Sequence, residues 1–407
     1  MNVFESLRIS PIINAAGSIT PHSGSPIDPD VAEAMATASQ VCFDIPELQG
    51  RACEIIVECT GAEAGMVTTG ASAALLLGAA ACMAGLDASR MGKLPDTAQM
   101  PHEFLVPYSH RNSYDHAVRA AGGRLIEVGV ADRVVGVGIR DTEAWEIADA
   151  ITENTAGVLY VARPDSRPAL PLVVEVAHSA GLPVLVDAAA ELPPVANLRH
   201  FIEQGADLVA FSGGKALKGP SGSGILCGRR RLIASALLQQ LDLDYEYDQW
   251  QPPKQIIDKS ELGRVPRNGI GRSCKPGKEQ IVGLLLALQR FAATDDKLRL
   301  KYWSEIATAL LSVLDHTPGL QARLVTDPDA RGIPLVEVCI RADAGMNAVR
   351  VAAALRSATP SVRVDASKAR HGILLLVPTC LHRNDVEPIG RTFRHVMELQ
   401  RDEFISV

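Results

Sequence analysis

The sequence has no excess of positive charge. Its 40 Lys and Arg residues are outnumbered by 47 Asp and Glu, which gives a formal net charge of −7 over 407 residues. Such a chain has no overall attraction to a polyanion, so a nucleic acid is disfavoured as a partner. The one dense basic run, Arg229-Arg230-Arg231, precedes an Ala/Leu segment and is interpreted as the solvated start of a helix.

The cysteines form no recognisable metal or disulfide pattern. Eight are scattered along the chain without a CxxC pair, most of them in apolar surroundings. We expect reduced thiols in the core rather than a zinc site or a disulfide framework. His110 and His116 invite a metal site, but no carboxylate or cysteine completes a ligand set at a suitable spacing, so no metal is expected.

Long hydrophobic runs are also lacking. The longest, Ala71 to Leu86, has about 16 residues and is rich in alanine, whereas a membrane-spanning helix needs about 20. The N-terminus lacks the basic start and apolar run of a signal peptide. These absences predict a soluble cytoplasmic protein without a membrane partner.

One lysine stands out in the stretch from Asp207 to Gly228. An apolar strand, Leu208 to Phe211, ends at Ser212-Gly213-Gly214 and is followed at once by Lys215. Burying a charged ammonium group among apolar side chains costs free energy, so the pKa of a lysine there tends to fall. The neutral amine is then available for Schiff-base chemistry. A surface lysine in a turn is the usual explanation of an arbitrary Gly-Gly-Lys, so neighbouring motifs must decide.

Two motifs upstream of the lysine favour a pyridoxal phosphate (PLP) site. Asp187 ends the short apolar strand Val184 to Val186 and is the kind of acid that keeps the cofactor's ring nitrogen protonated. Thr69-Gly70-Ala71-Ser72 opens an Ala/Leu helix whose N-terminus can bind a phosphate. Taken alone, Asp187 is as readily a turn former, and Ser72 or Thr69 an ordinary helix cap.

The order of these motifs resembles that of fold-type I PLP enzymes. The chain contains, in sequence, TTGAS, SHRNSYDHA, VDAAAELPP, FSGGKALKGPSGSG and IGRSCKPGKEQIVGL. This order is similar to the selenocysteine synthase (L-seryl-tRNA selenium transferase) superfamily and its tRNA-independent relatives, such as D-glucosaminate-6-phosphate ammonia-lyase. The resemblance covers nearly the whole chain, from about Pro11 onward.

The resemblance implies roles for several residues. Lys215 holds PLP, and the expected cofactor contacts are Gly70, Ala71, Ser72, His110, Asp187 and Ser212. His110 is expected to stack on the cofactor ring, although a lone loop histidine is more often solvated or hydrogen-bonded. Arg111 and Arg272 are the candidates for a substrate anion, against a surface ion pair for Arg111 and a solvated loop for Arg272. A homodimer or a higher homo-oligomer is also implied.

The fold class follows from the alternation of predicted helices and strands between Leu48 and Gly228. Continuous Val/Leu runs predict a mostly parallel sheet of the seven-stranded type, covered by helices on both faces. Ligands then lie at the carboxyl ends of the strands. We expect an α/β protein with an N-terminal arm (1–45), a PLP-binding large domain (46–290) and a small C-terminal α/β domain (291–407).

The predicted function is that of a PLP-dependent lyase that deaminates a small amino acid or an amino-sugar acid by α,β-elimination. Selenium transfer to seryl-tRNA is the alternative, disfavoured by the acidic charge balance, and racemase or aldolase chemistry stays open. A nucleotide-binding P-loop fails on spacing, because Val209 and Ala216 stand where it needs Gly and Ser or Thr. A non-catalytic protein that has kept the fold is the remaining alternative.

Overall fold

The fold is described from a computed structural model, in residues 3–130, 141–241, 246–315, 317–326 and 332–405. The α-helices, in chain order, are α1 (Val3–Ser6), α2 (Pro29–Ser39), α3 (Ile45–Thr60), α4 (Ala71–Ala84), α5 (Ala88–Lys93), α6 (His116–Ala120), α7 (Ala144–Asp149), α8 (Leu170–Ser179), α9 (Asn197–Glu203), α10 (Arg230–Leu238), α11 (Lys278–Ala293), α12 (Asp296–Leu314), α13 (Ala348–Ser357) and α14 (Val386–Ile405).

The strands alternate with these helices over most of the chain. They are β1 (Ile12–Ala15), β2 (Ala64–Thr68), β3 (Glu103–Pro107), β4 (Arg124–Val128), β5 (Thr155–Val161), β6 (Val184–Asp187), β7 (Leu208–Ser212), β8 (Gly224–Gly228), β9 (Leu320–Thr326), β10 (Pro334–Ile340), β11 (Ser361–Val364) and β12 (Ile373–Leu376).

A seven-stranded sheet forms the centre of the larger part of the chain. Its order is β2-β8-β7-β6-β5-β3-β4. Strand β8 is antiparallel to both of its neighbours, β2 and β7, and the other pairings are parallel. The prediction of a mostly parallel α/β sheet is therefore confirmed. Because β2, β7, β6, β5 and β3 run in the same direction, their carboxyl ends meet at one edge.

Helices cover both faces of this sheet, as the continuous apolar strands require. On one face, α4 lies against the strands, and Gly78 lets it approach closely, because an added Cβ would be 2.8 Å from Leu185 Cδ1. On the other face, α3, α8, α9 and α11 enclose a second apolar cluster. The sheet is thus buried on both faces. Polar side chains can lie together at the edge formed by the carboxyl ends of its strands.

The chain packs into two compact units, Ile27–Ala293 on one hand and Met1–Pro26 with Thr294–Val407 on the other. The first contains the seven-stranded sheet. The second contains the antiparallel sheet β12-β10-β9 and the parallel pair β1-β11, in which Ile12 is aligned with Ser361. The three-part division drawn from the sequence stays a prediction. No helix in the described ranges combines the length and the apolar content of a transmembrane segment.

Candidate active site

Lys215 lies on a tight turn directly after β7. An added Cβ at Gly213 would come within 2.1 Å of Ser223 Oγ, and one at Gly214 within 2.4 Å of Ser221 Cα, so only glycine fits at both positions. The turn is closed by two backbone hydrogen bonds, from Lys218 N to the Lys215 carbonyl (3.0 Å) and from Gly219 N to the Gly213 carbonyl (2.9 Å). The lysine is therefore presented, partly buried, from a fixed point on the sheet edge.

Asp187 is the buried acid of this edge. It ends β6 with 7% exposure, and its Oδ1 accepts a hydrogen bond from Ala189 N at 3.0 Å, as a turn-forming aspartate does. Burial raises the pKa of its carboxyl, while that hydrogen bond and the positive charge of Lys215 act in the opposite direction. Asp187 thus lies within range of the charge of Lys215, at the end of the strand next to β7.

The start of α4 forms a cradle next to Lys215. Thr68, at the end of β2, is aligned with Gly224, and Gly224 is aligned with Ser212 at the end of β7. Gly224 lets the loop after β2 pass close by, since a Cβ there would lie 2.4 Å from the carbonyl carbon of Gly70. Strand β8 separates β2 from β7, so Gly224 is the residue of β8 that both the loop and Ser212 approach.

Gly70 is the N-cap of α4, so the alternative of a cap by Thr69 or Ser72 is wrong. Its φ of +95° is a conformation that favours glycine, and no side chain caps the helix. The first backbone N–H groups of a helix lack intrahelical acceptors, and the helix dipole makes this end positive. Ala71 is partly exposed and Ser72 is exposed, which leaves room for an anion at this helix end.

The turn that contains Arg272 is attached to the same cradle. Thr69 N donates to the Cys274 carbonyl at 3.2 Å, and Gln240 Nε2 donates to the same oxygen at 2.8 Å. Arg272 itself is exposed, within the 3-10 helix Ile270–Cys274. Because the turn that contains Arg272 is bonded to the loop before α4, a role of Arg272 in anion binding stays a prediction that this position supports.

His110 is enclosed rather than open to the edge. It is 1% exposed, its Nδ1 accepts a hydrogen bond from Val161 N at 3.3 Å, and Tyr160 contacts its ring edge-on at a centroid distance of 4.6 Å. Burial and the positive charge of Arg163 lower the pKa of His110 to about 4, so the ring is neutral and has its proton on Nε2. A stacking ring needs an open face, and this burial gives no support to the stacking role, which stays a prediction.

Arg111 makes two ion pairs, one with a buried carboxylate and one with an exposed carboxylate. Its Nε contacts Asp115 Oδ2 at 2.5 Å, and its Nη1 contacts Glu127 on β4. The contact with Asp115 raises the pKa of the guanidinium. The pair with Glu127 is the surface ion pair that the sequence left open as the alternative. A substrate-binding role for Arg111 stays a prediction that no contact in the structure supports.

Sequence reasoning missed Arg163, which comes directly after β5. Its Nη2 donates to the Ser109 carbonyl at 3.0 Å, so it lies between the ends of β3 and β5. The available signal was its place two residues beyond a buried strand of a parallel sheet, where ligands bind. Arg163 lies outside the five motifs that carry the resemblance.

The residues at this edge fit PLP. The cradle at the start of α4 suits a phosphate, and Lys215 lies between that cradle and Asp187 in the strand order. A carboxylate as deeply buried as Asp187 needs a positive partner, which the protonated ring nitrogen of the cofactor would supply. Lys215 would hold the cofactor aldehyde, and the first N–H groups of α4 would hold its phosphate.

Comparisons with known proteins agree with this fit. The family model described as aminotransferase class-V matches residues 146–249. A 5'-C-glycyluridine monooxygenase-decarboxylase from Streptomyces is 31% identical over 405 residues, covering 97% of this chain and 92% of the relative. The D-glucosaminate-6-phosphate ammonia lyase of Salmonella typhimurium is 28% identical over 410 residues, covering 98% and 99%.

The fold comparison points to the same group. The solved structure of a D-glucosaminate-6-phosphate ammonia-lyase superposes with a TM-score of 0.80 at 28% identity, covering 98% of this chain and 99% of that one. An L-seryl-tRNA(Sec) selenium transferase from Geotalea daltonii is 25% identical over 264 residues and matches 58% of this chain and 53% of its own length. The chain belongs to the fold-type I PLP-dependent enzymes, in the family that includes D-glucosaminate-6-phosphate ammonia-lyase and is related to selenocysteine synthase.

Proposed function

We propose that the protein is a PLP-dependent lyase that deaminates a small amino acid or an amino-sugar acid by α,β-elimination, as in a D-glucosaminate-6-phosphate-like substrate. The observation that supports this function most directly is that the buried Asp187 and Lys215 follow each other at the carboxyl ends of the adjacent parallel strands β6 and β7, on the same edge as a helix N-terminus that suits a phosphate. The near-complete coverage of the ammonia lyase by this chain supports the reaction type.

Each residue of the edge has a distinct role in this proposal. When bound, PLP supplies an electron sink that stabilises negative charge at the substrate Cα. Asp187 keeps the ring nitrogen protonated, and its burial strengthens that charge contact. The N–H groups at the start of α4 bind the phosphate and fix the position of the ring. Ser212 borders the same space at the end of β7.

Lys215 moves the protons. When Lys215 does not hold the cofactor, its Nζ would be available to take the α-proton of the substrate as a general base. The same ammonium can then protonate a β-hydroxyl group, which leaves as water. Water re-enters when the resulting unsaturated product is hydrolysed, so a β-hydroxy amino acid gives a 2-oxo acid and ammonia without any external oxidant.

A second candidate is oxidative decarboxylation of an amino acid. It is favoured by the 31% identity to the Streptomyces monooxygenase-decarboxylase. The two reactions differ in their stoichiometry, because oxidative decarboxylation consumes O2 and releases CO2, whereas elimination does neither. Selenium transfer has weaker support, since the selenium transferases that match this chain are 23–29% identical and match 38–72% of their own length.

The setting that we propose is a cytoplasmic homodimer or larger homo-oligomer acting on a small molecule. The scattered cysteines, with no disulfide pattern in the sequence, support a reducing compartment. Exposed apolar side chains on the larger unit, including Val41 and Phe43, support contact with a second copy.

One screen tests the reaction and separates the two candidates. The purified holoprotein is incubated with D- and L-amino acids and with phosphorylated amino-sugar acids, with and without O2, and ammonia, 2-oxo acid and CO2 are measured. We expect ammonia and 2-oxo acid in equal amounts, independent of O2. Production of CO2 that depends on O2 would replace the lyase by the second candidate.

A further inference from the structure

The carboxyl end of β2 is fixed by the side chain of a glutamine on α3. Gln49 Nε2 donates to the Val67 carbonyl at 3.0 Å, and Val67 N donates to Gln49 Oε1 at 3.1 Å. One side-chain amide thus makes both hydrogen bonds that a residue of a neighbouring strand would make. Gln49 is 2% exposed, so both bonds are shielded from water.

This contact lies on the outer side of β2, where a partner is needed. Among the strands that the structure describes, β2 pairs with β8 alone, and all five of its residues are buried. A buried backbone N–H or C=O without a partner costs free energy. Helix α3 covers this side of the strand, because Cys53 Sγ accepts from Gly65 N at 3.4 Å and Gln49, one helical turn away, bonds Val67, two strand residues away.

Val67 is separated from the phosphate cradle by a very short connection. Strand β2 ends at Thr68 and α4 begins at Ala71, so Thr69 and Gly70 alone connect them. A connection of two residues transmits a displacement of the strand end to the helix start, because it has few torsions that could absorb it. The hydrogen bonds of Val67 therefore help to fix where the first N–H groups of α4 lie.

A second glutamine fixes the other side of the same loop. Gln240 Nε2 donates to the Cys274 carbonyl at 2.8 Å, and that oxygen also accepts from Thr69 N at 3.2 Å. A carbonyl oxygen has two lone pairs and can accept both bonds. Gln240 is 6% exposed and thus holds the acceptor of Thr69 in place from the interior. The two glutamines act on Val67 and Thr69, the residues on either side of Thr68.

Both glutamines line one cavity of about 270 Å³, together with Phe43, Leu237 and Trp250. Side chains are therefore not closely packed next to the two amides. Since close packing is missing here, the hydrogen bonds are what restrains the loop at this place. The cavity also leaves room for another unbranched side chain at either position.

We propose that Gln49 and Gln240 are positioning residues for the phosphate of the cofactor, and this inference rests on the proposed PLP function. They act through the backbone of residues 67–69 and fix the direction of the N–H groups at the start of α4. Donors that are already aligned need no rearrangement when an anion binds, so their alignment adds to the affinity for the phosphate. The two amides would thus increase the affinity for PLP through its phosphate and leave the contacts of its aldehyde unchanged.

Pyridoxal separates this role from a general effect on the structure, because it has the aldehyde of PLP and lacks the phosphate. Dissociation constants for PLP and pyridoxal are measured by absorption titration of the full-length apoprotein, for the wild type, Gln49→Met and Gln240→Met. Methionine is unbranched like glutamine and has no amide. The ratio of the two constants reports the contribution of the phosphate.

Two variants serve as matched controls. Gln239 is also buried, but its two amide atoms have no hydrogen-bond partner in the described chain, so Gln239→Met removes a glutamine that holds nothing. Cys53→Ala removes a contact of the same helix with the same strand, at Gly65, farther from the loop.

We expect the wild type to bind PLP more tightly than pyridoxal. Gln49→Met should reduce this preference by about tenfold, as from the weakening of one hydrogen bond to a charged group, with unchanged binding of pyridoxal. Gln240→Met should reduce it by less, because Thr69 N keeps its acceptor. Both controls should keep the wild-type preference. Unchanged binding of pyridoxal also shows that a variant is folded.

Several outcomes would overturn the inference. A wild-type preference in Gln49→Met, or an equal loss of PLP and pyridoxal binding, would remove its role in positioning the phosphate. If Gln49→Met did not fold, an unchanged preference in Gln240→Met would have the same meaning. A tenfold reduction in Gln239→Met would show that the preference responds to any change in the core. A wild type that does not distinguish PLP from pyridoxal would instead contradict the phosphate cradle and the proposed function, which is a separate and recognisable result.

Discussion

The positive charge of Lys215 acts on the buried carboxyl of Asp187 and lowers its pKa, against a larger upward effect of burial. Asp187 ends β6 and Lys215 lies in the turn after β7, the adjacent parallel strand, in which Ala210 is aligned with Asp187. A buried acid that is only partly compensated destabilises the protein by itself and is stabilised by a cationic ligand. The relationship therefore links cofactor binding to the stability of the fold.

Asp187→Asn should stabilise the apoprotein and inactivate the holoprotein. A carboxyl whose pKa is raised by folding reduces stability as it ionises, so the difference between variant and wild type should vanish below about pH 4 and grow as the pH rises above it. The measurement is the thermal unfolding of both apoproteins from pH 4 to 8. Asp165→Asn, at an exposed position of the same edge, should show no such trend.

The activity of the same variant provides the second half of this prediction. Without an acid at the ring nitrogen, product formation should fall by at least about a hundredfold, which corresponds to about 3 kcal/mol. A variant that is less stable than the wild type at pH 7, or that retains activity, would contradict the role assigned to Asp187.

The buried His110 should make the protein sensitive to acid. Its pKa of about 4 lies below the ordinary value, so its neutral form contributes stability that is complete above about pH 6.5 and is lost as the pH falls toward 4. The loss amounts to about 3 kcal/mol over that interval. Denaturant unfolding at several pH values should show a shallower dependence for His110→Gln than for the wild type.

The exposed His116 is the control for this experiment. His116→Gln should keep the slope of the wild type, because its ring is accessible to water and pairs with Arg119 on the surface. Equal slopes for His110→Gln and the wild type would show that His110 is solvated in solution, and the stacking role would then regain support.

Gly224→Ala should damage the phosphate cradle. The added methyl group would lie 2.4 Å from the carbonyl carbon of Gly70 and 2.7 Å from Ala71 N, so the loop must move away from the start of α4. We expect the dissociation constant for PLP to rise by about tenfold or more, as from the loss of one charge-assisted contact, measured by titration of the apoprotein with PLP.

A glycine in open space provides the control for steric effects. Gly92 lies in α5 with nothing within 4 Å of its added Cβ, and Gly92→Ala should stabilise the protein by about 0.5–1 kcal/mol without affecting PLP binding. PLP binding by Gly224→Ala at the wild-type affinity would mean that the cofactor phosphate is bound elsewhere.

The strands of the main sheet were predictable because each is a short, continuous apolar run. The sequence placed a strand at Leu208 to Phe211, and β7 extends one residue further, to Ser212. The strands β1, β9 and β11 were missed for the opposite reason. Strand β9 has one buried residue, and its other residues are exposed or partly buried. Strand β1 has four residues and pairs, among the strands that the structure describes, with β11 alone, more than 300 residues away.

The residues of the candidate site could be predicted from the sequence where the residue type by itself indicates a chemical role. A lysine behind two glycines and an aspartate at a strand end are such residues, and the structure places them at the carboxyl ends of adjacent parallel strands. The partners of Arg111 and the burial of His110 depend on side chains from other strands, Glu127 on β4 and Tyr160 on β5. No local pattern in the sequence reports such contacts, which is why both roles were assigned by resemblance alone.

The central claim is that Lys215 is the residue that holds PLP, and borohydride reduction followed by peptide mass spectrometry tests it most directly. We expect a phosphopyridoxyl group on Lys215 in the wild type and in Lys218→Ala, whose lysine lies three residues away and faces Asp28 at 3.8 Å. Lys215→Ala should lose both the group and the visible absorption band. A phosphopyridoxyl group on another side chain, or on none after incubation with PLP, would contradict the account.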